Sequence, residues 1–238
     1  MNRYIMATSG GFLPTGRFNV SKPGNTFLQA LKLTGKERPR VLYIMTASGD
    51  DTSYLTRSYQ ALHELHCDVE HLSLFTQPTD DVEKVVERAD LIWVGGGSVA
   101  NLLALWNLHG VDEAIRNAYE NGTVLGGVSA GSICWHLGGP TDSFGPTLQV
   151  ITNGLGLLRY GNGVHYDSEA QRRPLLQKLV GDGTLPTSFA TDDRVGLLYR
   201  DGEPFEVISD MPELPAQAYR VEKVGNDVIE TALPLGRI

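Results

Sequence analysis

The sequence has few cysteines and no long hydrophobic run. Its 238 residues include only Cys67 and Cys134, which are far apart, with Cys134 in a predicted helix. We therefore expect free thiols buried in the fold rather than a disulfide. No apolar run approaches the roughly 18 residues of a membrane span, and the N-terminal apolar residues are too few for a signal peptide. These absences predict a cytoplasmic protein.

The sequence also lacks basic clusters. It carries 28 acidic and 20 basic residues, which gives a net charge of -8 at pH 7. Because nucleic acids and anionic membranes attract basic surfaces, we expect neither as a partner. The chain is 41% hydrophobic and 20% charged, and it shows no repeat and no linker. It is therefore predicted to bury its core in one domain that spans residues 1–238.

Short apolar segments alternate with helical patterns through the first 140 residues. The predicted strands cover residues 4–7, 41–45, 69–74, 91–94 and 124–125. The predicted helices cover residues 25–33, 53–66 (with Ser53 as its cap), 80–89, 100–105, 111–119 and 132–137. This alternation predicts an α/β fold with a parallel, doubly wound sheet and helices on both faces.

The pattern changes after residue 138. Residues 140–156 are rich in Gly, Pro, Thr and Asp, and residues 16–25 are polar, so both segments are predicted to be loops. Strand candidates at 195–199, 205–208, 218–224 and 228–231 predict antiparallel hairpins at the sheet edge near the C-terminus. Because residues 138–156 have no obvious partner within the chain, a homodimer that shares this loop is also considered.

The segment Gly127-Val128-Ser129-Ala130-Gly131 joins a predicted strand to a predicted helix. This is the pattern of a nucleophile elbow, in which glycines let strand and helix approach closely around a strained serine. The N–H of Ala130 would lie at a helix N-terminus, where an oxyanion forms. We predict that Ser129 is a nucleophile; the alternative is a plain Gly-rich turn.

A serine nucleophile requires a base and oxyanion donors. His165 follows in a Gly-rich segment and is the predicted base, with a loop histidine bonded to the backbone as the alternative. Gly95-Gly96-Gly97-Ser98 lies between a strand and a helix, where backbone N–H groups bind anions. The N–H of Gly97 is the predicted second oxyanion donor, and close packing of strand and helix is an equally weighted alternative.

The residues alone do not single out the carboxylate that orients the base. The candidates are Asp142, Asp167, Glu169 and Asp193. His63, His66 and His71 suggest a metal site, but His71 falls in a different element and no carboxylate pattern completes the set. We therefore predict no metal and no cofactor.

Five motifs in order resemble a known family. They are Ala7-Thr8-Ser9-Gly10-Gly11, Thr46-Ala47-Ser48, Trp93-Val94-Gly95-Gly96-Gly97-Ser98 with Leu102-Leu103, Gly127-Val128-Ser129-Ala130-Gly131-Ser132 and Gly163-Val164-His165. Together they resemble the peptidase E and cyanophycinase family of serine peptidases, the S51 type. The resemblance implies a class I glutamine-amidotransferase-like fold, in which serine replaces the amidotransferase cysteine. It also implies metal-free hydrolysis of dipeptides or short peptides, in some members those with an N-terminal aspartate.

The resemblance also implies roles for individual residues. It makes Ser129 the nucleophile and His165 the base, with Gly97 and Ala130 as the oxyanion donors. Among the acids it ranks Asp142 first, at the acidic position after the elbow. It ranks Asp167 second, because His165-Tyr166-Asp167 resembles the His-x-acid pair of amidotransferases.

The expected substrate site departs from the family pattern. Aspartate-specific members are thought to use an arginine shortly after the histidine, and Glu169 occupies that position here. Either Arg172 or Arg173 takes this role, or the aspartate preference is lost, since an acidic group repels an acidic substrate. Ser98 is a candidate to hold the free amine.

The resulting hypothesis is a serine exopeptidase that acts on dipeptides or short peptides through an acyl-enzyme, with N-terminal Asp preference left open. Three alternatives remain: a related hydrolase of other peptides, an esterase of the α/β-hydrolase type, and a non-catalytic small-molecule binding protein with the same fold.

Overall fold

The computed structural model describes residues 2–76 and 81–238. Its strands are β1 (Tyr4–Thr8), β2 (Phe12–Pro14), β3 (Ser21–Pro23), β4 (Arg40–Ile44), β5 (Asp68–Leu72), β6 (Leu91–Val94), β7 (Val124–Val128), β8 (Gly139–Thr141), β9 (Gln149–Ile151), β10 (Gly161–Gly163), β11 (Ser188–Thr191), β12 (Val195–Arg200), β13 (Glu203–Ser209), β14 (Ala218–Val224), β15 (Asp227–Leu233) and β16 (Gly236–Arg237). Its helices are α1 (Asn25–Leu33), α2 (Thr52–Leu62), α3 (Val82–Glu87), α4 (Val99–His109), α5 (Val111–Glu120), α6 (Ala130–Ile133) and α7 (Arg172–Gly181), with a 3₁₀ turn at Thr46–Ser48.

The main sheet has the strand order β16-β13-β12-β1-β7-β6-β4-β5. Strands β1, β7, β6, β4 and β5 are parallel, and β12 runs antiparallel to β1. The carboxyl ends of the parallel strands therefore meet at one edge of the sheet, the usual position of a site in this class of fold. Four of the five sequence motifs lie at this edge, after β1, β4, β6 and β7, whereas Gly163-Val164-His165 follows β10, which is not in the main sheet.

Helices cover both faces of the main sheet, as predicted. On one face, Met6, Tyr43 and Trp93 of the strands pack with Phe27 of α1 and Leu62 of α2. On the other face, the alternate strand residues pack with α3, α4, α5 and α6. Because successive strand side chains point to opposite faces, continuous apolar runs such as Leu91–Val94 are buried on both sides. The predicted doubly wound α/β architecture is confirmed.

A second, four-stranded sheet has the order β10-β11-β14-β15. Helix α7 packs on it through Leu176, Leu179 and Val180, which meet Val221 of β14. The two C-terminal hairpins were predicted together at the sheet edge, but they separate. The β12–β13 hairpin extends the main sheet, whereas β14–β15 belongs to the second sheet. Hairpin signals in a sequence fix local pairing and leave the choice of sheet to long-range packing.

Several predicted boundaries were wrong. Helix α2 begins at Thr52 with the Asp51 side chain as its cap, not Ser53, and it ends at Leu62 because the chain turns there with a hydrogen bond from Leu65 N–H to Leu62 O. Helix α6 has only four residues, since tighter i to i+3 bonds follow it. Asp80, the predicted first residue of α3, lies outside the described residues.

Both segments predicted to be loops, residues 16–25 and 140–156, overlap short hairpins. Strands β2 and β3 pair within residues 12–23, and β8 pairs with β9 within residues 139–151. The second hairpin is also joined to β10 of the same chain, because Gly138, the residue before β8, forms a β-bridge with Gly161. This removes the reason for expecting the loop to be shared with another copy. The homodimer itself stays a prediction, as does the single domain.

Both cysteines are free thiols, with Cys134 buried and Cys67 half-buried, as predicted apart from the partial exposure of Cys67. Across residues 2–76 and 81–238, no helix has the length and apolar character needed to cross a membrane.

Candidate active site

Ser129 occupies a strained turn between β7 and α6. Its backbone angles are φ 57° and ψ -113°, a region that side chains rarely occupy and that is maintained only when the surrounding structure enforces it. Its N–H donates to the carbonyl oxygen of Thr8, the last residue of β1, at 3.1 Å. The predicted elbow geometry is therefore present, with the serine half-buried at the carboxyl edge of the sheet.

The glycines on either side of Ser129 are required by close packing. A methyl group on Gly127 would lie 2.8 Å from the carbonyl oxygen of Val94 and would also collide with the backbone of Gly131. A methyl group on Gly131 would collide with the Val94 carbonyl. The elbow can therefore approach β6 only because both positions lack a side chain.

The Gly95–Gly97 loop runs directly beside the elbow. A methyl group on Gly96 would lie 3.2 Å from Cβ of Ser129. The next glycine, Gly97, has φ 134° and lies against Ala47, whose carbonyl accepts the Ser98 N–H at 2.8 Å. No described residue accepts a hydrogen bond from the Gly97 N–H. As the first residue of α6, Ala130 has an N–H without an intrahelical acceptor.

His165 pairs with Asp193, one of the four candidate acids. Its Nδ1 lies 2.6 Å from Oδ1 of Asp193, and both side chains are partly exposed. The backbone N–H of Asp193 in turn donates to Oδ1 of Asp167 at 2.8 Å. Asp167 thus holds the backbone of the residue that contacts the histidine, rather than the histidine itself.

Ser9 connects the histidine to the end of β1. The His165 N–H donates to the Ser9 hydroxyl oxygen at 3.0 Å, and His165 has φ 51°. The Ser9 hydroxyl lies 2.7 Å from the hydroxyl of Thr191 in β11. Ser129 and His165 are thereby tied to adjacent residues, Thr8 and Ser9, although no direct hydrogen bond joins the two described side chains. Such bonds are often loose without substrate.

Asp142, ranked first among the acids, lies with Arg172 and Glu169 instead of His165. Arg172 Nε is 2.7 Å from Oε2 of Glu169, and another guanidinium nitrogen lies 4.0 Å from Oδ1 of Asp142. Arg172 also donates to the carbonyl oxygen of Pro140. The Arg172 side chain is 2% exposed, whereas that of Asp142 is 62% exposed. Arg172 thus fastens the loop after the elbow to α7.

The second candidate anchor, Arg173, also has protein partners. It lies 3.2 Å from Oε1 of Glu230, with its guanidinium 4.7 Å from the ring centres of both Tyr166 and Tyr219. Burial and the Glu230 carboxylate raise the pKa of the Tyr166 hydroxyl, which donates to Glu230 at 2.7 Å. This network binds α7 to the second sheet.

Ser98 acts as the cap of α4. Its hydroxyl oxygen accepts the Asn101 N–H at 3.2 Å, as expected for a serine at the N-cap.

The histidines that suggested a metal site, His63, His66 and His71, do not share a common contact among the described residues. His71 Nδ1 is 2.9 Å from the Tyr59 hydroxyl, and His63 is near its own helix backbone. In the described part of the chain, no group of three or more His, Cys, Asp or Glu residues has the arrangement of a metal site.

A cavity of about 240 Å³ opens beside the elbow. Its lining includes Ser9, Phe12 and Val128, the residue before the nucleophile candidate, together with Tyr54 and Arg57 of α2. Burial raises the pKa of the Tyr54 hydroxyl, and the Gly96 backbone partly offsets this rise. Sequence reasoning did not identify Tyr54 or Arg57, because α2 carried only an amphipathic pattern.

The model of peptidase family S51 matches residues 13–207, most of the chain. A protein of Bacillus subtilis (strain 168), named "Uncharacterized peptidase YgaJ", is 37% identical over 237 residues, which cover 99% of this chain and 98% of that protein.

Two crystal structures share the fold. One is "a Putative Peptidase E Protein from Listeria monocytogenes EGD-e", with a TM-score of 0.61 and 18% identity over 98% of this chain and 100% of the other. The other is a peptidase from an acI-B1 Actinobacterium, with a TM-score of 0.68 and 15% identity over 97% of each chain. At these identities the likeness concerns the fold.

Proposed function

Because this chain belongs to peptidase family S51, we propose that it is a serine peptidase that hydrolyses short peptides through Ser129, His165 and Asp193. The observation that carries the proposal is the shared attachment of the strained Ser129 turn and the His165–Asp193 pair to Thr8 and Ser9 at the end of β1. A non-catalytic binding protein has no need for a strained serine opposite a histidine oriented by a carboxylate.

In this mechanism the Asp193 carboxylate accepts a hydrogen bond from His165 Nδ1–H, which leaves Nε2 free to accept a proton. Nε2 takes the Ser129 proton while Oγ attacks the peptide carbonyl carbon. His165 then gives the proton to the leaving amine. Water, deprotonated by the same Nε2, attacks the acyl-enzyme, and the acid product leaves as Ser129 recovers its proton.

In the proposed mechanism, the N–H groups of Gly97 and Ala130 donate hydrogen bonds to the oxyanion that forms when Ser129 attacks. The first lacks an acceptor among the described residues, and the second begins a helix beside the nucleophile. Each donor of this kind stabilises the transition state by roughly 3 kcal/mol in related chemistry.

For the orienting acid we propose Asp193, with Asp167 as the residue that positions it. The resemblance in sequence ranked Asp142 first, but its carboxylate lies 4.0 Å from the Arg172 guanidinium. Its proposed role is to hold the loop after the elbow, together with Arg172 and Glu169. An effect of Asp142 on activity is then indirect.

A small cavity favours short substrates. Its volume of about 240 Å³ is at or below the size typical of small-molecule sites, so it holds one or two side chains rather than a long peptide. This supports the exopeptidase hypothesis over an endopeptidase. Because the cavity is partly polar, an esterase with an extended apolar acyl site is a weaker candidate.

The experiment is hydrolysis of a dipeptide panel by the wild type, Ser129→Ala and a control. The panel pairs N-terminal Asp, Asn, Ala and Lys with C-terminal Leu, and the control is Ser53→Ala, an exposed serine on α2. We expect turnover by the wild type and the control and loss of at least about 10³-fold in kcat for Ser129→Ala.

Two results would contradict the proposal. Turnover that survives in Ser129→Ala would remove Ser129 as nucleophile. Binding of intact dipeptides with no turnover by the wild type would favour the non-catalytic alternative.

A further inference from the structure

We propose that Arg57 is a specificity-determining residue that binds a carboxylate group of the substrate in the cavity beside Ser129. The inference rests on the proposed function, since it uses Ser129 as the reacting centre. It assigns a role to a residue of α2 that no sequence motif contains.

The cavity adjoins the elbow through residues that neighbour the reacting groups in sequence or by a hydrogen bond. Val128, immediately before Ser129, lines it, and so does Ser9, whose hydroxyl accepts the His165 N–H. Tyr54, which also lines the cavity, lies against the Gly95–Gly97 loop, since a methyl group on Gly95 would lie 3.3 Å from its ring. A substrate whose carbonyl reaches Ser129 can therefore place a neighbouring group in this cavity.

Arg57 gives the cavity a positive charge. It is the one charged side chain among the described residues that line it, the others being polar or apolar. Its guanidinium lies 5.7 Å from the centre of the Tyr54 ring, and no described carboxylate lies within 4.0 Å of it. In a chain with a net charge of -8, an arginine without an ionic partner beside the reacting centre favours an anionic ligand.

The other candidate anchors are occupied. Arg172 is buried against Glu169 and the Pro140 carbonyl, and Arg173 is paired with Glu230. Freeing Arg172 would leave the buried Pro140 carbonyl without its donor, and freeing Arg173 would break its ion pair with Glu230. Both changes cost free energy. Arg57 is exposed, so a substrate can reach it without breaking an ion pair.

Guanidinium and carboxylate groups form two parallel hydrogen bonds, a geometry that a lysine cannot reproduce. A dipeptide carries two such groups: an acidic N-terminal side chain on the acyl part, and the C-terminal carboxylate on the leaving part. A guanidinium can bind either carboxylate in the same way. Two pairs of substrates, each differing in one of these carboxylates, show which one Arg57 binds.

The test compares kcat/KM for Asp-Leu against Asn-Leu, and for Ala-Leu against Ala-Leu amide. The enzymes are the wild type, Arg57→Gln and Arg237→Gln. The control arginine is also exposed and stacks on an aromatic ring, with its guanidinium 5.3 Å from the centre of Phe205, outside the cavity. We expect the wild type and Arg237→Gln to prefer the carboxylate member of one pair by roughly 10- to 100-fold. Arg57→Gln should reduce that ratio to near one.

The pair that changes identifies the source of the carboxylate. Loss of the Asp-Leu preference assigns Arg57 to an acidic side chain, and loss of the Ala-Leu preference assigns it to the C-terminus. If Arg57→Gln leaves both ratios as they are in the wild type, the inference is wrong while the proposed function stands.

A separate binding measurement keeps the two proposals distinguishable. If the wild type hydrolyses no dipeptide, the proposed function fails, and calorimetric titration of the same four dipeptides then decides the role of Arg57. Weaker binding of a carboxylate member by Arg57→Gln, but not by Arg237→Gln, would support it. Equal binding by all three proteins would overturn it.

Discussion

Nδ1 of His165 lies 2.6 Å from Oδ1 of Asp193, although the two residues are separated by 28 positions in the chain. This contact fixes the tautomer of the neutral imidazole, with the proton on Nδ1 and the lone pair on Nε2. Because the Asp193 N–H is held by Asp167, the carboxylate is positioned from a second side as well. The pair has the arrangement that a general base requires.

The substitutions Asp193→Asn and Asp142→Asn distinguish which of the two acids orients His165. We expect Asp193→Asn to lower kcat by roughly 10²- to 10⁴-fold, because an amide stabilises the wrong tautomer and cannot balance the imidazolium charge. Asp142→Asn should lower kcat by less than about tenfold, since its neighbour is Arg172. Steady-state kinetics on one dipeptide measure both.

The reverse order of effects would assign the orienting role to Asp142 and contradict the geometry. Asp167→Asn provides an intermediate case, because an amide oxygen still accepts the Asp193 N–H. We expect it to retain most of the activity.

Arg172 is expected to act on stability rather than on substrate binding. Arg172→Met would leave the buried Pro140 carbonyl without its donor, whereas the Glu169 side chain is 40% exposed and its carboxylate can be hydrated. We therefore expect the free energy of unfolding to fall by about 1–3 kcal/mol. Lys178→Met, at an exposed position on the same helix, is the control. Urea denaturation measures the change, and unaltered stability with a raised KM would instead indicate a substrate anchor.

The elbow should not tolerate a side chain at Gly131. Gly131→Ala places a methyl group against the Val94 carbonyl, and we expect a loss of about 2–4 kcal/mol in stability or failure to fold. Gly181→Ala, at the end of α7, meets only the side chain of Val228 and should change stability by less than about 1 kcal/mol. Equal stability of the two variants in thermal denaturation would show that β6 and the elbow are not closely packed.

Buried His136 should make the fold sensitive to acid. Burial lowers its pKa to about 4 against an ordinary value of 6.5, while its ring contacts the Ser132 carbonyl oxygen and the Tyr199 hydroxyl. Between these values the unfolded chain binds a proton that the folded chain does not. Stability therefore falls as pH drops from about 6.5 to about 4, by up to roughly 3 kcal/mol.

The check is the free energy of unfolding of the wild type, His136→Gln and His63→Gln at several pH values. His63 is exposed and should leave the pH dependence unchanged. His136→Gln should flatten it, although the variant is less stable at neutral pH. An unchanged slope in His136→Gln would assign the acid sensitivity to other groups.

The sequence predicted the parts of the molecule that depend on local patterns. The buried strands were visible because both faces of the sheet are covered, which makes Val41–Ile44 and Leu91–Val94 uninterrupted apolar runs. The Ser129 turn was visible because close packing against Val94 allows only glycine at two positions. The family resemblance, based on five motifs, is confirmed by the S51 match.

Other features depend on distant contacts and were not predictable. Asp193 was one of four candidate acids, and only the turn between β11 and β12 brings it to His165. Arg172 resembled a substrate anchor in the sequence, because nothing local indicates that the Pro140 carbonyl lies against it. The contribution of α2 to the cavity was hidden, since an amphipathic pattern does not tell which exposed arginine faces a site.

The role of Ser129 as nucleophile is tested most directly by covalent labelling with a fluorophosphonate, followed by intact-mass analysis and peptide mapping. We expect one adduct per chain on the peptide that contains Ser129, no adduct on Ser129→Ala, and strongly slowed labelling of Asp193→Asn. An adduct on another residue, or equal labelling of Ser129→Ala, would contradict the claim that Ser129 is the nucleophile.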